Sequence, residues 1–113
     1  MPAVDRLGPG RPLAIIAGPC VLESLELGLA IGRACRDACR EVGLAYTFKA
    51  SFDKANRSSG GSFRGPGLEA GLKVLESVRA RFGVPVVTDV HEDTPIEEVA
   101  AVVDVLQTPA FLC

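Results

Sequence analysis

The chain has 113 residues, room for one small domain, with 48% hydrophobic and 23% charged residues, the proportions of an ordinary soluble globular protein. Lys and Arg number 12 against 14 Asp and Glu, a net charge of −2, so nothing in the balance points to nucleic acid or an anionic membrane as a partner. No apolar run reaches the ~18 residues of a membrane span, and the start Met-Pro-Ala-Val-Asp-Arg lacks a signal-peptide core, so a cytoplasmic protein is expected.

Residues 1–12 are interrupted by Gly and Pro and read as an irregular arm ahead of a domain over residues 13–113. Leu13–Ala17 is a short continuous apolar run closed by Gly18-Pro19, the pattern of a strand buried on both faces. From Ser24 to Val42 the period becomes helical, with Leu27, Ile31, Ala34, Cys35, Ala38 and Val42 in one stripe and Glu26, Arg33, Arg36, Asp37 and Arg40 opposite. Ser24 is placed as the N-cap and Gly43 as the C-terminal stop.

A second strand is expected over Leu44–Ala50, followed by a polar, glycine-rich stretch from Ser51 to Gly67. Leu68, Gly71, Leu72, Leu75, Val78 and Phe82 form the next helical stripe, ended by Gly83. Val84–Val90 reads as a third strand, its proline near the start where one is tolerated. Thr94-Pro95-Ile96-Glu97 reads as a capping box opening a short helix to about Ala101, and Val102–Gln107 as a fourth strand broken by Thr108-Pro109.

Alternating strands and helices with buried strands predict a parallel α/β sheet. A doubly wound open sheet and part of a (β/α)8 barrel both satisfy that pattern, although no G-x-G-x-x-G follows the first strand to support dinucleotide binding. In either architecture ligands bind at the carboxyl ends of the strands. There the sequence puts Cys20 and Glu23, then Lys49, Asp53, Lys54, Asn56 and Arg57, then Thr88, Asp89 and His91, then Asp104 and Gln107. The opposite ends, around Arg11, Val42-Gly43 and Gly83, carry no comparable set, and this asymmetry argues for an enzyme.

Lys49, Lys54, Arg57 and Arg64 suit an anionic substrate, a phosphate or a carboxylate. Three of them also read as solvated loop charges, but Lys49 interrupts an apolar strand end. Asp89 and His91 alone would make an ordinary satisfied turn, and the glycines of Ser59–Gly67 a plain loop without a P-loop pattern. Four cysteines are present at 20, 35, 39 and 113, expected reduced and without a C-x-x-C pair. Cys35 reads as part of the buried stripe and Cys39 as its edge, whereas Cys20 stands in a Gly-Pro-Cys turn after a strand.

Ile16–Ser24, Phe48–Ser59, Ser62–Glu69, Thr88–Glu92 and Gln107–Leu112 resemble successive motifs of the 3-deoxy-D-manno-octulosonate 8-phosphate synthases, from about residue 14 to the end of the chain. The Lys49–Lys54 motif is specific to them. The Gly-Pro-Cys and Gln-Thr-Pro-Ala pieces are shared with related phosphoenolpyruvate-condensing aldolases, such as 3-deoxy-D-arabino-heptulosonate 7-phosphate synthase. Gly60-Gly61 departs from the larger residues usual in that loop.

The resemblance implies a (β/α)8 TIM barrel. It implies condensation of phosphoenolpyruvate with D-arabinose 5-phosphate and water, a step in lipopolysaccharide precursor synthesis. By the same resemblance Lys49, Lys54 and Asp89 belong to the catalytic site. Asn56, Arg57 and Ser58 hold arabinose 5-phosphate, with Arg57 reaching a neighbouring subunit of a homotetramer, and His91, Gln107 and Ala110 complete the pocket. Members with cysteine after Gly-Pro require a divalent transition metal (Zn, Fe, Mn or Co), so Cys20 is expected as one ligand, the others lying beyond Cys113. A (β/α)8 barrel takes about 250 residues. The sequence therefore reads as about the first four βα units, inactive alone and prone to associate. The non-enzymatic rival is a complete flavodoxin-like binding domain, which lacks its usual acidic pair after the first strand.

Overall fold

Four apolar runs, each too short to be a helix, pair side by side into one sheet. The computed structural model describes residues 7–51 and 67–112, and in them β1 (Ala14–Ala17), β2 (Ala45–Lys49), β3 (Val86–Asp89) and β4 (Val105–Gln107) lie in the order β1-β2-β3-β4. Every pair is parallel, with Ile16 beside Thr47, Lys49 beside Val87 and Asp89 beside Gln107. Between them run α1 (Leu25–Val42), α2 (Leu68–Phe82) and α3 (Ile96–Ala100), and a 3-10 turn at Ala110–Leu112 follows β4.

The helix ends obey local chemistry. Ser24 Oγ accepts the Leu27 N–H at 3.0 Å at the start of α1. Gly43, at φ 74°, reverses the chain at its end, where the Leu44 N–H reaches the Cys39 carbonyl at 2.9 Å. Gly83, at φ 63°, closes α2 in the same way.

One face of the sheet carries the core. Phe48, Leu22, Leu75, Val78, Val86 and Val99 are fully buried there and Cys39 of α1 joins them, bringing together both longer helices, α3 and the helix-facing side of the strands. Tyr46 belongs to this layer and donates its hydroxyl to the Ala17 carbonyl at 2.7 Å. Burial first, and the neighbouring Cys35 thiol second, push the Tyr46 phenol far above its ordinary range, so it remains a donor. The opposite face, with Ile16, Thr47, Val87 and Val105, stays an open apolar groove, and Ile16 is 48% exposed.

Helices on a single face, with strands in sequential order, exclude the doubly wound and flavodoxin-like arrangements, which cover both faces. The architecture is α/β, as in the first βα units of a (β/α)8 barrel. The same fact corrects the reading of β1 as buried on both faces, because the side that a closed barrel would turn inward is open here.

The buried face of α1 also differs from the apolar stripe. Gly28, Gly32 and Cys39 are its buried residues, while Leu27 and Val42 are exposed. Two glycines let α1 approach α2: a Cβ at Gly28 would stand 2.7 Å from Val74 Cγ1, and one at Gly32 would stand 3.2 Å from the Phe82 ring. Hydrophobic periodicity credits glycine with nothing, so it pointed to the neighbouring face. Arg33 and Arg36, expected on the polar side, lie with their guanidiniums 5.9 and 4.9 Å from the centroid of the Phe82 ring. Cys39 is thus the buried thiol and Cys35 the edge, the reverse of the expectation; burial, and next the nearby Cys35, raise the Cys39 pKa.

Two further readings change near β4. Val102 and Val103 belong to the turn leaving α3, their N–H groups both reaching the Val99 carbonyl, so the strand starts only at Val105. Thr94 does not cap α3: its hydroxyl accepts the His91 N–H at 2.7 Å and its own N–H returns to the His91 carbonyl at 3.2 Å.

Candidate functional site

Parallel pairing brings the carboxyl ends of the strands to one rim. The bridge of Val21 to Ser51 extends the β1–β2 pairing beyond the strands, and the Val90 N–H donates to Gln107 O at 2.9 Å. Between these ends lies a cleft of about 210 Å³. Cys20, Lys49, Asp89, His91 and Gln107 line it together. Period-2 alternation puts Lys49, Asp89 and Gln107 on the open face of their strands.

The pair at the cleft wall is close. His91 Nε2 stands 2.7 Å from Asp89 Oδ2, with side chains 10% and 12% exposed. The other carboxylate oxygen, Oδ1, is buried and has no hydrogen-bond partner among the described residues. Lys49 supplies the cation on the neighbouring strand. Among the described residues the cleft therefore holds one fixed positive group and one carboxylate, suited to a substrate with an anionic end and a hydroxylated part.

Several expected residues take other places. Asp104 lies at the opposite rim, where Oδ2 accepts the Val86 N–H at 2.9 Å and the carboxylate pairs with Arg79 at 3.1 Å, so it fastens the start of β3. Thr88 is fully buried and donates its hydroxyl to the Ala50 carbonyl at 2.8 Å, a core contact. Ala110 is exposed in the turn after β4, outside the cleft lining, while its neighbours Pro109 and Phe111 are part of it. Asp53, Lys54, Asn56, Arg57, Ser58 and Arg64 lie outside the described residues.

Gly18 is a requirement the sequence reading missed. A Cβ there would run into the Lys49 carbonyl, a backbone atom of β2 that cannot swing aside. Gly18→Ala is expected to destabilise the protein by about 1–3 kcal/mol through overpacking. It should also displace the strand end that carries Lys49. Urea unfolding with an unchanged midpoint would show that β1 and β2 are not so closely apposed.

Among the described residues no group of three or more His, Cys, Asp or Glu is placed to hold a metal ion. Cys20 is an exposed thiol at the cleft, the soft donor a borderline transition metal favours, but it is a single ligand where three or four are needed. The described residues alone do not make a metal centre.

The family model described as the DAHP synthetase I family matches residues 4–113. The chain belongs to this family. It is 65% identical over 108 residues to the 2-dehydro-3-deoxyphosphooctonate aldolase of Alkalilimnicola ehrlichii, a match covering 96% of this chain and 39% of the relative. Proteins of the same name from Xylella fastidiosa and Thioalkalivibrio sulfidiphilus are 64% and 62% identical over 106 and 103 residues, or 94% and 91% of this chain and 38% and 37% of theirs. The chain thus spans less than two fifths of the length of these family members. No described helix is long and apolar enough to cross a membrane.

Proposed function

We propose that this family member carries part of an active site that condenses phosphoenolpyruvate with D-arabinose 5-phosphate and water, giving 3-deoxy-D-manno-octulosonate 8-phosphate and inorganic phosphate. The observation that carries the reading is the convergence of Lys49, Asp89, His91, Gln107 and Cys20 on one cleft in a chain 61–65% identical to named octonate aldolases. C3 of phosphoenolpyruvate forms a carbon–carbon bond to the aldehyde carbon, whose oxygen takes up a proton. Water adds its hydroxyl to C2 and releases a proton. The C2–O bond to the phosphate then breaks, so inorganic phosphate leaves with that oxygen and C2 becomes the ketone.

Both substrates are polyanions, so fixed cations must offset their repulsion while aligning the reacting carbons. Lys49 does this at the strand end, and Lys54 shares the task on the strength of its motif. Asn56, Arg57 and Ser58 hold the sugar phosphate, Arg57 across a subunit boundary of a homotetramer. Cys20 supplies one thiolate ligand of a divalent transition metal whose other ligands lie outside the described residues. When bound, such an ion polarises the aldehyde or activates water.

The test uses this chain continued by the part of the Alkalilimnicola ehrlichii relative beyond the match, which supplies the rest of the barrel. Phosphate release from phosphoenolpyruvate should be at least about 10-fold faster per unit concentration with arabinose 5-phosphate than with erythrose 4-phosphate, a difference of one or two well-made contacts. Preference for erythrose 4-phosphate would move the assignment to heptulosonate phosphate synthesis, the activity that shares the Gly-Pro-Cys turn.

A further inference from the structure

We propose that the Phe111 ring covers the enol carbon of phosphoenolpyruvate in this cleft and keeps water from it, so that phosphate is released only when the aldehyde has been joined. The proposal rests on the condensation reading above and adds a group that couples the two substrates.

Three observations carry it. Among the described residues the other aromatic rings, Tyr46, Phe48 and Phe82, are buried in the core, whereas Phe111 is 62% exposed and lines the cleft. Its place there is built by the chain after β4. Pro109 is buried in the lining, and the 3-10 turn Ala110–Leu112 brings Phe111 to the space it shares with Gly18 and Pro19. Those two follow β1, at the opposite edge of the sheet from β4, so the turn does not lead away from the strand ends. Pro19, Ala50 and Pro109 add apolar lining to the same cleft that holds Lys49.

The chemistry of the reaction decides what the ring meets. Both substrates carry their charge on carboxylate and phosphate groups, which fixed cations such as Lys49 attract. The atoms to be joined, the methylene C3 and the aldehyde carbon, are uncharged. An exposed ring gains by covering them, because contact removes the apolar surface of both from water. Water at C3 is also the side reaction to be avoided. If C3 takes a proton from water in place of the aldehyde carbon, the remaining hydroxide adds at C2. The C2–O bond to the phosphate then breaks, and phosphoenolpyruvate is hydrolysed to pyruvate and inorganic phosphate. Excluding water from the reactive carbon suppresses that loss. Water is needed at C2 only after the carbon–carbon bond has formed.

The experiment measures phosphate, condensation product and pyruvate in the continued chain supplied with both substrates. The unsubstituted protein should give phosphate and condensation product in about equal amounts. Phe111→Gln, similar in reach but polar, should release at least about twice as much phosphate as condensation product, the excess matched by pyruvate. Phe111→Ala should uncouple in the same way, and Phe111→Leu, apolar and still bulky, should keep the ratio close to the parent's. Three variants of an exposed ring keep the result independent of any one failing to fold. A merely structural Phe111 would change rate or stability and leave the ratio alone. The proposal is overturned if Gln and Ala keep the one-to-one ratio, or if Leu uncouples as much as they do. If the unsubstituted protein condenses neither sugar, the condensation reading falls and this role with it. If it condenses either sugar and the variants stay coupled, only the role of Phe111 falls.

Discussion

Lys49→Ala is expected to lower kcat/KM for the condensation by about 10²–10³-fold, the size of effect seen when one fixed charge-stabilising group is removed from an enclosed site. Lys49 ends β2, lines the cleft beside Asp89 and Gln107, and is the cation that the described residues place there. Arg81→Ala, in the last turn of α2 and exposed, should stay within about 2-fold, because an isolated surface charge far from the rim contributes little. Lys54→Ala is expected to follow Lys49→Ala on the strength of its motif. Steady-state kinetics on the continued chain compare the three directly. Equal activity of Lys49→Ala and Arg81→Ala would move the site away from this rim.

The second large effect concerns Cys20. A thiolate binds Zn²⁺, Fe²⁺ or Co²⁺ far better than Mg²⁺. A chelator is therefore expected to abolish activity of the continued chain, and Zn²⁺, Fe²⁺, Mn²⁺ or Co²⁺ to restore it. A spectroscopic readout separates binding from turnover: the Co²⁺-loaded protein should show thiolate-to-metal absorption, and Cys20→Ala should remove it. Cys39→Ala is the matched control. That thiol is buried under α1, so its loss should cost about 1–2 kcal/mol of stability and leave the absorption unchanged. Full activity after chelation, with Cys20→Ala indistinguishable from its parent, would leave Cys20 an ordinary exposed thiol.

The site was legible because its residues follow strands. An apolar run that stops at Gly18-Pro19, at Lys49, at Asp89 and at Gln107 identifies both the strand and its carboxyl end, and parallel pairing then gathers those ends without further information. An apolar run longer than the strand it contains misplaces the strand end. Val102 and Val103 have the apolar character of a strand, which would carry Asp104 toward the rim, yet those residues complete the turn after α3 and put Asp104 at the other end of the sheet. Thr88 failed for a different reason: alternation along β3 sends it to the helix side, one residue before Asp89, which faces the cleft. The orphaned Asp89 Oδ1 and the obstruction at Gly18 have no sequence signal, since both depend on atoms from another strand or loop.

Local sequence determined the element order, the Ser24 cap, the left-handed glycines at 43 and 83, and the parallel class of the sheet, because each depends on a few neighbouring residues or on a period. Its motifs also pointed to the DAHP synthetase I relatives and to the cleft residues. Tertiary structure alone decided which face of α1 is buried, because the fit of Gly28 and Gly32 against Val74 and Phe82 outweighs the hydrophobicity of Leu27 and Val42. The β-α period is identical in barrel-type and doubly wound sheets, so the barrel rested on motif resemblance until the packing of the helices on one side of the sheet supplied the physical reason. And tertiary structure alone made a pair of His91 and Asp89, two residues whose spacing fits an ordinary turn until the Thr94 contacts fold that turn back on the strand end.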